Sequence, residues 1–293
     1  MSEVRTDDGV RLHVEEVGDG SVVLFLHEFG GDHRSWEPQL RRFARRYRCL
    51  APAARGYPPS DVPDDAAAYS QERAVADAVA VLDAHDVADA HVVGLSMGSY
   101  VALHLARQHP TRVRSAVVAG CGYGSRPADR EGFAASCRAL AEALDASGPA
   151  ALEAYGGAAS RLQFAHKDPR GYAEFLARLT EHSVTGSRHT ILGFQQQRPS
   201  LEGFADEFRR MRTPVLLVVG DEDDGAIEAN VALKRTIPTA GLVTLPRSGH
   251  TLNLEEPERF NDLVAGFLAD VDAGRWAPRD PATVSTTAMG LDA

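Results

Sequence analysis

Cysteine is scarce: Cys49, Cys121 and Cys137 form an odd, scattered set without Cys-x-x-Cys spacing. That excludes a disulfide framework and a zinc ribbon, and leaves three reduced, mostly buried thiols as the expectation. No apolar run approaches the roughly 18 residues of a membrane span. The opening "MSEVRTDDGVRL" is polar and acidic, without the apolar stretch of a secretory signal, so a cytoplasmic protein is expected. Positive charge is in deficit. With 31 Lys and Arg against 41 Asp and Glu, the formal net charge is −10, which argues against nucleic acid or an anionic membrane surface as partner. The His27-Glu28 pair also lacks its usual companion. A zinc-protease helix needs a second histidine four positions after the first, but the next one is His33, beyond Gly30-Gly31. No metal site is implied.

What is present is an alternation of short apolar runs with amphipathic helical patterns over a chain of 293 residues, long enough for one large α/β domain with an insertion. Strands are predicted at 22–26, 49–53, 91–95, 114–120, 214–220 and 241–245. Their near-continuous apolarity suits a parallel sheet buried on both faces. Helices are predicted over 36–46, 70–85 with Ser70 as N-cap, and 98–109 ending before Pro110. A last helix after Pro257 places Phe260, Leu263, Val264, Phe267 and Leu268 on one stripe that should pack on the sheet. The stretch "DGVRLHVEEVGDG" before the first core strand reads as an antiparallel hairpin.

The alternation breaks between about Gly124 and Arg212, a span too long for a βα loop and helical in pattern, so an inserted helical cap is expected. The predicted organisation is a core of residues 1–124 and 211–275, a cap of 125–210, and a loose tail of 276–293. The aromatics of the insertion, Tyr155, Phe164, Tyr172, Phe175 and Phe194, read individually as packing residues. So do the remaining histidines, His104, His166, His182 and His189, on the surface or in the core.

Chemistry concentrates at "VVGLSMGSY", where Gly94-Leu95-Ser96-Met97-Gly98 falls at a strand–helix junction. That setting suits a nucleophile elbow, whose tight turn tolerates little bulk two positions either side of the serine. A serine nucleophile needs a base and an orienting acid later in the chain. His250 lies in a Gly-flanked loop between the last strand and the last helix, and Asp221, Asp223 and Asp224 follow the strand at 214–220. The acid is expected from that cluster.

These motifs, with the His-x-Phe-Gly-Gly loop after the first core strand, Gly220-x-x-Asp223 and Ser248-Gly249-His250, resemble the α/β-hydrolase family over residues 5 to 272. The resemblance implies a mostly parallel central sheet with helices on both faces and an inserted helical cap. It implies Ser96 as nucleophile, His250 as base then acid, Asp223 as the orienting acid, and backbone N–H groups of Phe29 and Met97 as an oxyanion hole. It implies no cofactor and a small-molecule substrate, and leaves the oligomeric state open. A serine at the nucleophile position points to acyl chemistry on a small ester, thioester or lactone. Hydrolysis of a carbon–carbon bond in a diketone or vinylogous acid is the alternative with the same triad, and a non-catalytic ligand receptor on the same fold is a third reading. Two positions depart from the family's usual pattern: Glu28 stands where relatives usually have Gly, and Ala53 stands where Asp-x-Arg-Gly usually begins. A Glu28–Arg55 pair, replacing the carboxylate missing at Ala53, is the expected compensation.

Overall fold

The computed structural model describes residues 2–284. Its centre is an eight-stranded sheet built from β1 (Ser2–Arg5), β2 (Arg11–Val17), β3 (Val22–Leu26), β4 (Arg48–Pro52), β5 (Ala90–Leu95), β6 (Val113–Ala119), β7 (Val215–Gly220) and β8 (Ala240–Leu245). The strand order is β1-β2-β4-β3-β5-β6-β7-β8, with β2 antiparallel to both its neighbours and all pairings from β4 to β8 parallel. The six apolar runs predicted as strands are all strands, within one residue at each end. The hairpin begins earlier than its alternation suggested. It turns at Gly9 (φ +86°), and β1 pairs Ser2 with Val14 through Arg5 with Arg11. In "SEVR" only Val4 is buried, so the strand carries almost no apolar signal of its own.

Alternate residues of the central strands feed two cores. Val22, Leu24 and Leu26 of β3 pack on one face with α2 (Gln71–Ala84) and α3 (Met97–Gln108), while Val23 and Phe25 pack on the other with α1 (Glu37–Phe43). Ser70 caps α2 by accepting the Arg73 N–H, as predicted. Between β6 and β7 the chain makes a helical excursion: α4 (Arg130–Ser147), α5 (Pro149–Gly156), α6 (Leu162–Lys167), α7 (Pro169–Thr180), α8 (Val184–His189), a π-helical turn (Thr190–Gln195) and α9 (Ala205–Arg210). It has a small core of its own, in which Leu144, Leu152, Phe164, Phe175 and Leu179 are buried together. The chain then closes with α10 (Asp224–Thr236) on the α2/α3 face, the single turn α11 (Leu252–Glu255), and α12 (Pro257–Asp272) on the α1 face. The α12 stripe buries Phe260, Val264, Phe267 and Leu268, with Leu263 at its edge.

The segment predicted as a loose tail divides. Residues 285–293 lie outside the described residues. Up to Val284 the chain is anchored twice: the Trp276 ring packs edge-on to Phe267 at 4.6 Å and its Nε1–H donates to the Thr239 carbonyl at 2.8 Å, and the Arg279 N–H donates to the Pro238 carbonyl at 2.8 Å. A lone Trp amid Pro and Thr has no periodicity to announce this.

Candidate active site

Ser96 occupies the one-residue junction between β5 and α3 at φ 50°, ψ −109°. A non-glycine residue in that region carries strain of about 1–3 kcal/mol, which the surroundings must hold in place. They do so from both sides. The Ser96 N–H donates to the Ala119 carbonyl of β6 at 2.8 Å. A Cβ on Gly94 would collide with the Gly98 carbonyl, and one on Gly98 with the Leu26 carbonyl. The glycine spacing is therefore what lets strand, turn and helix close up. Ser96 stays partly exposed while its neighbours Leu95 and Met97 are buried.

The expected base and acid, His250 and Asp223, follow the ends of β8 and β7. Asp223, the N-cap residue of α10, is fully buried. Its Oδ2 accepts from His250 Nδ1 at 2.8 Å. Because a buried carboxylate can only accept, this bond places the proton on Nδ1 and leaves Nε2 as the basic nitrogen. The other oxygen, Oδ1, accepts from the Tyr123 hydroxyl at 2.9 Å. Burial and the adjacent Asp223 push the Tyr123 phenol well above its ordinary range, so it remains a donor. Asp221 and Asp224 are exposed, and Asp221 accepts only the Ser248 N–H, at 3.1 Å. Of the three acids, the structure brings Asp223 alone to the histidine. The imidazole lies over the end of β6: a Cβ on Gly120 would sit 3.3 Å from His250 Cε1. Ser96 and His250 thus lie against consecutive residues, Ala119 and Gly120. No direct hydrogen bond links them, a contact that commonly tightens only around substrate.

The loop after β3 carries Phe29, expected with Met97 to offer N–H donors to an oxyanion. Among the described residues neither the Phe29 nor the Met97 N–H has a protein acceptor. The Phe29 peptide is fixed, since its carbonyl accepts from the Tyr57 hydroxyl at 3.1 Å and its ring meets Tyr155 edge-on at 5.2 Å. His27 orders the loop's base, its Nδ1 donating to the Glu28 carbonyl at 2.7 Å and its Nε2 accepting the Ala54 N–H at 3.0 Å. Burial holds this imidazole below its ordinary pKa and therefore neutral.

Residues 23–263 match the alpha/beta hydrolase family. The chain belongs to that family. Among its relatives, 2-hydroxymuconate semialdehyde hydrolase of Pseudomonas putida is 29% identical over 279 residues, 90% of this chain and 93% of that one. A thermophilic esterase from Thermogutta terrifontis superposes with a TM-score of 0.81 at 25% identity, covering 92% of this chain and 98% of that one. Est816, an N-acyl homoserine lactone degrading enzyme, gives 0.75 at 26% identity, covering 91% and 100%.

In this α/β hydrolase the expected Glu28–Arg55 pair does not form. Arg55 runs the other way, to Asp77 of α2 (Nε and Nη2 each at 2.7 Å) and to Asp8 in the β1–β2 turn (2.8 and 3.2 Å). The carboxylate missing at Ala53 is thus replaced from a helix 22 residues downstream of the arginine. The premise was sound, because Arg55 is only 5% exposed and an unpaired buried charge is costly. The partner was wrong. Removing this hub by Arg55→Met leaves the buried Asp77 without its guanidinium and Asp8 with only Arg73, at 3.7 Å, and a loss of about 3–5 kcal/mol in urea unfolding is expected.

Glu28 instead meets Arg161, the residue just before α6, at 2.6 Å, each side chain 2% exposed. Glu28 Oε1 also accepts from the Thr251 hydroxyl at 3.4 Å. Burial alone would raise the Glu28 carboxyl, but the Arg161 guanidinium, followed by the His250 ring, outweighs it and holds the group ionised, below its ordinary pKa. Arg161 Nη2 donates in addition to the Tyr155 hydroxyl at 3.1 Å, and the guanidinium carbon lies 4.6 Å from the centre of that ring. The same segment touches the histidine loop directly. The His250 N–H donates to the Ser160 carbonyl at 2.8 Å, and Lys167 Nζ binds Glu255 at 2.8 Å and Glu256 at 2.6 Å.

Tyr123 and Arg161 escaped the sequence reading. Tyr123 had one signal, its place in Gly122-Tyr123-Gly124 shortly after β6. Arg161 had none, being 133 residues from Glu28. Phe164, Tyr172 and Phe175 are packing residues that form one aromatic cluster, whereas Tyr155 and Phe194 reach the site's surroundings. Among the described residues no three His, Cys, Asp or Glu side chains form a metal-holding group.

Proposed function

We propose that this hydrolase cleaves a small carboxylic ester, thioester or lactone through an acyl-enzyme on Ser96. The observation that carries the reading is the buried His250 Nδ1–Asp223 Oδ2 bond of 2.8 Å, which leaves Nε2 free to take a proton. In the proposed cycle Ser96 Oγ attacks the substrate carbonyl as its proton passes to His250 Nε2. The tetrahedral oxyanion is held by the N–H groups of Phe29 and Met97, and collapse expels the alcohol, thiol or ring oxygen, which takes the proton from His250. Water, deprotonated by the same nitrogen, then releases the acid and restores Ser96. Asp223 fixes the tautomer and stabilises the imidazolium throughout.

The esterase and lactone-degrading relatives support this bond class. The similarity to 2-hydroxymuconate semialdehyde hydrolase supports a second reading, cleavage of a carbon–carbon bond in a diketone or vinylogous acid with the same three residues. Turnover of purified protein on a panel of esters, thioesters, lactones and vinylogous diketones, beside Ser96→Ala, decides between them. Cleavage of the carbon–carbon substrates alone would overturn the ester reading.

Residues 125–210 act in this reading as a cap. Phe194 lines a cavity of about 60 Å³ that also touches Met97 and Gly98, next to the nucleophile. Phe194→Ala is expected to shift the preferred acyl length upward by one or two carbons with labelling of Ser96 retained, read from kcat/KM over a series of nitrophenyl esters. Tyr155→Ala is expected to alter the same profile. Equal loss on every ester, accompanied by unfolding, would make both residues core instead.

A further inference from the structure

Arg161 is an arginine of the helical excursion lodged against the loop that carries Phe29, one of the two proposed oxyanion donors. A Cβ on Gly30 would lie 3.3 Å from its Nη2. Its Nε is buried without a hydrogen-bond partner among the described residues. A guanidinium so placed would by itself draw a substrate carboxylate, since a unit charge roughly 6 Å away at an effective dielectric of about 20 is worth on the order of 100-fold in affinity. Here that charge is already matched by Glu28 at 2.6 Å, equally buried. The other cation reaching the histidine loop from the same segment, Lys167, is matched by Glu255 and Glu256. Neither cation that the excursion brings to His250 and Phe29 is therefore left unmatched.

We propose that Glu28 is a specificity-determining residue: by neutralising Arg161 beside the oxyanion loop, it commits the site to acyl groups that carry no negative charge. This deepens the acyl-hydrolase reading and rests on it. The residue does not touch the reacting atoms. Its role is to cancel an attraction that the arginine would otherwise offer, while the arginine keeps its structural contacts to Tyr155 and Phe175. The alternative, that the pair is purely a structural brace, predicts equal effects of any substitution on neutral and anionic substrates.

The test compares kcat/KM for two nitrophenyl esters of similar size, butyrate and the monoester of succinate, in the full-length protein and three variants. The parent should favour butyrate by at least about tenfold. In Glu28→Gln the preference should narrow by about tenfold or more, because the succinyl carboxylate now finds an unmatched guanidinium. In Arg161→Gln it should widen as pH rises into the alkaline range, where the buried Glu28 carboxyl, raised once the guanidinium is gone, ionises and repels that carboxylate. The double variant Glu28→Gln/Arg161→Gln, neutral again, should return to within about threefold of the parent. If Glu28→Gln does not fold, the contrast between Arg161→Gln and the double variant reads the same charge. Ratios that stay constant across the folded variants overturn the inference, as does a parent that prefers the succinate monoester. Fluorophosphonate labelling at Ser96 is measured alongside: its absence in the parent would remove the underlying triad reading, whereas intact labelling with unmoved ratios removes this inference alone.

Discussion

Ser96→Ala is expected to abolish labelling by a fluorophosphonate probe and to lower turnover by about 10⁴- to 10⁶-fold. The size follows from the chemistry proposed for the site: without Oγ there is no acyl-enzyme, and only binding and the oxyanion donors remain to accelerate attack by water. Stability should not fall with activity. The strain at Ser96 is a backbone property, its N–H bond to Ala119 is a main-chain contact, and alanine keeps both. A variant that unfolds at the parent's urea midpoint yet has lost labelling is the predicted outcome. A variant that still labels, or that hydrolyses at a tenth of the parent's rate, would place the nucleophile elsewhere.

Asp223→Asn is expected to cost about 10⁴-fold in turnover. An amide at this position can still accept from one partner, but its NH₂ group cannot accept the Nδ1–H of His250, and the ring is driven toward the tautomer whose Nε2 is already protonated. The Tyr123 hydroxyl, which now donates to Oδ1, reinforces the effect by selecting which end of the amide faces the ring. Asp221→Asn and Asp224→Asn should stay within about tenfold of the parent, because both side chains are exposed and neither reaches the imidazole. A loss confined to Asp221→Asn would falsify the assignment of the acid, and rates measured across pH would show whether the base had moved with it.

Much of the fold was legible because its signals are local. A strand buried on both faces must be apolar throughout, so all six parallel strands stood out, and Ser70, Pro110 and the α12 stripe marked helix ends and faces within a few residues. The elbow was legible for a similar reason, since Gly94 and Gly98 are required by contacts made within four residues of each other and with β3. What stayed hidden depends on partners distant in the chain. Glu28 and Arg55 were each recognised as needing a counter-charge, but which of the 41 acids and 31 bases supplies it is decided by how the helical excursion and α2 lie over the sheet. Nothing in the neighbourhood of either residue encodes that. The anchoring of Trp276 was hidden likewise, since its acceptor, Thr239, is 37 residues away.

The excursion leaves the sheet after β6 and rejoins it at β7, and these two strands are hydrogen-bonded neighbours. Its roots therefore stand side by side, so a lineage can lengthen, shorten or exchange the whole insert without altering the register of a single strand. Such modularity would let substrate range drift while the catalytic platform is inherited intact. One clause restricts that freedom. The main-chain N–H of His250 finds its acceptor not in the platform but in the carbonyl of Ser160, so any replacement insert must offer an acceptor at the same point in space or leave the histidine's own peptide unsatisfied. Lineages that swap the roof should therefore keep a short turn over that loop even where every side chain around it has changed.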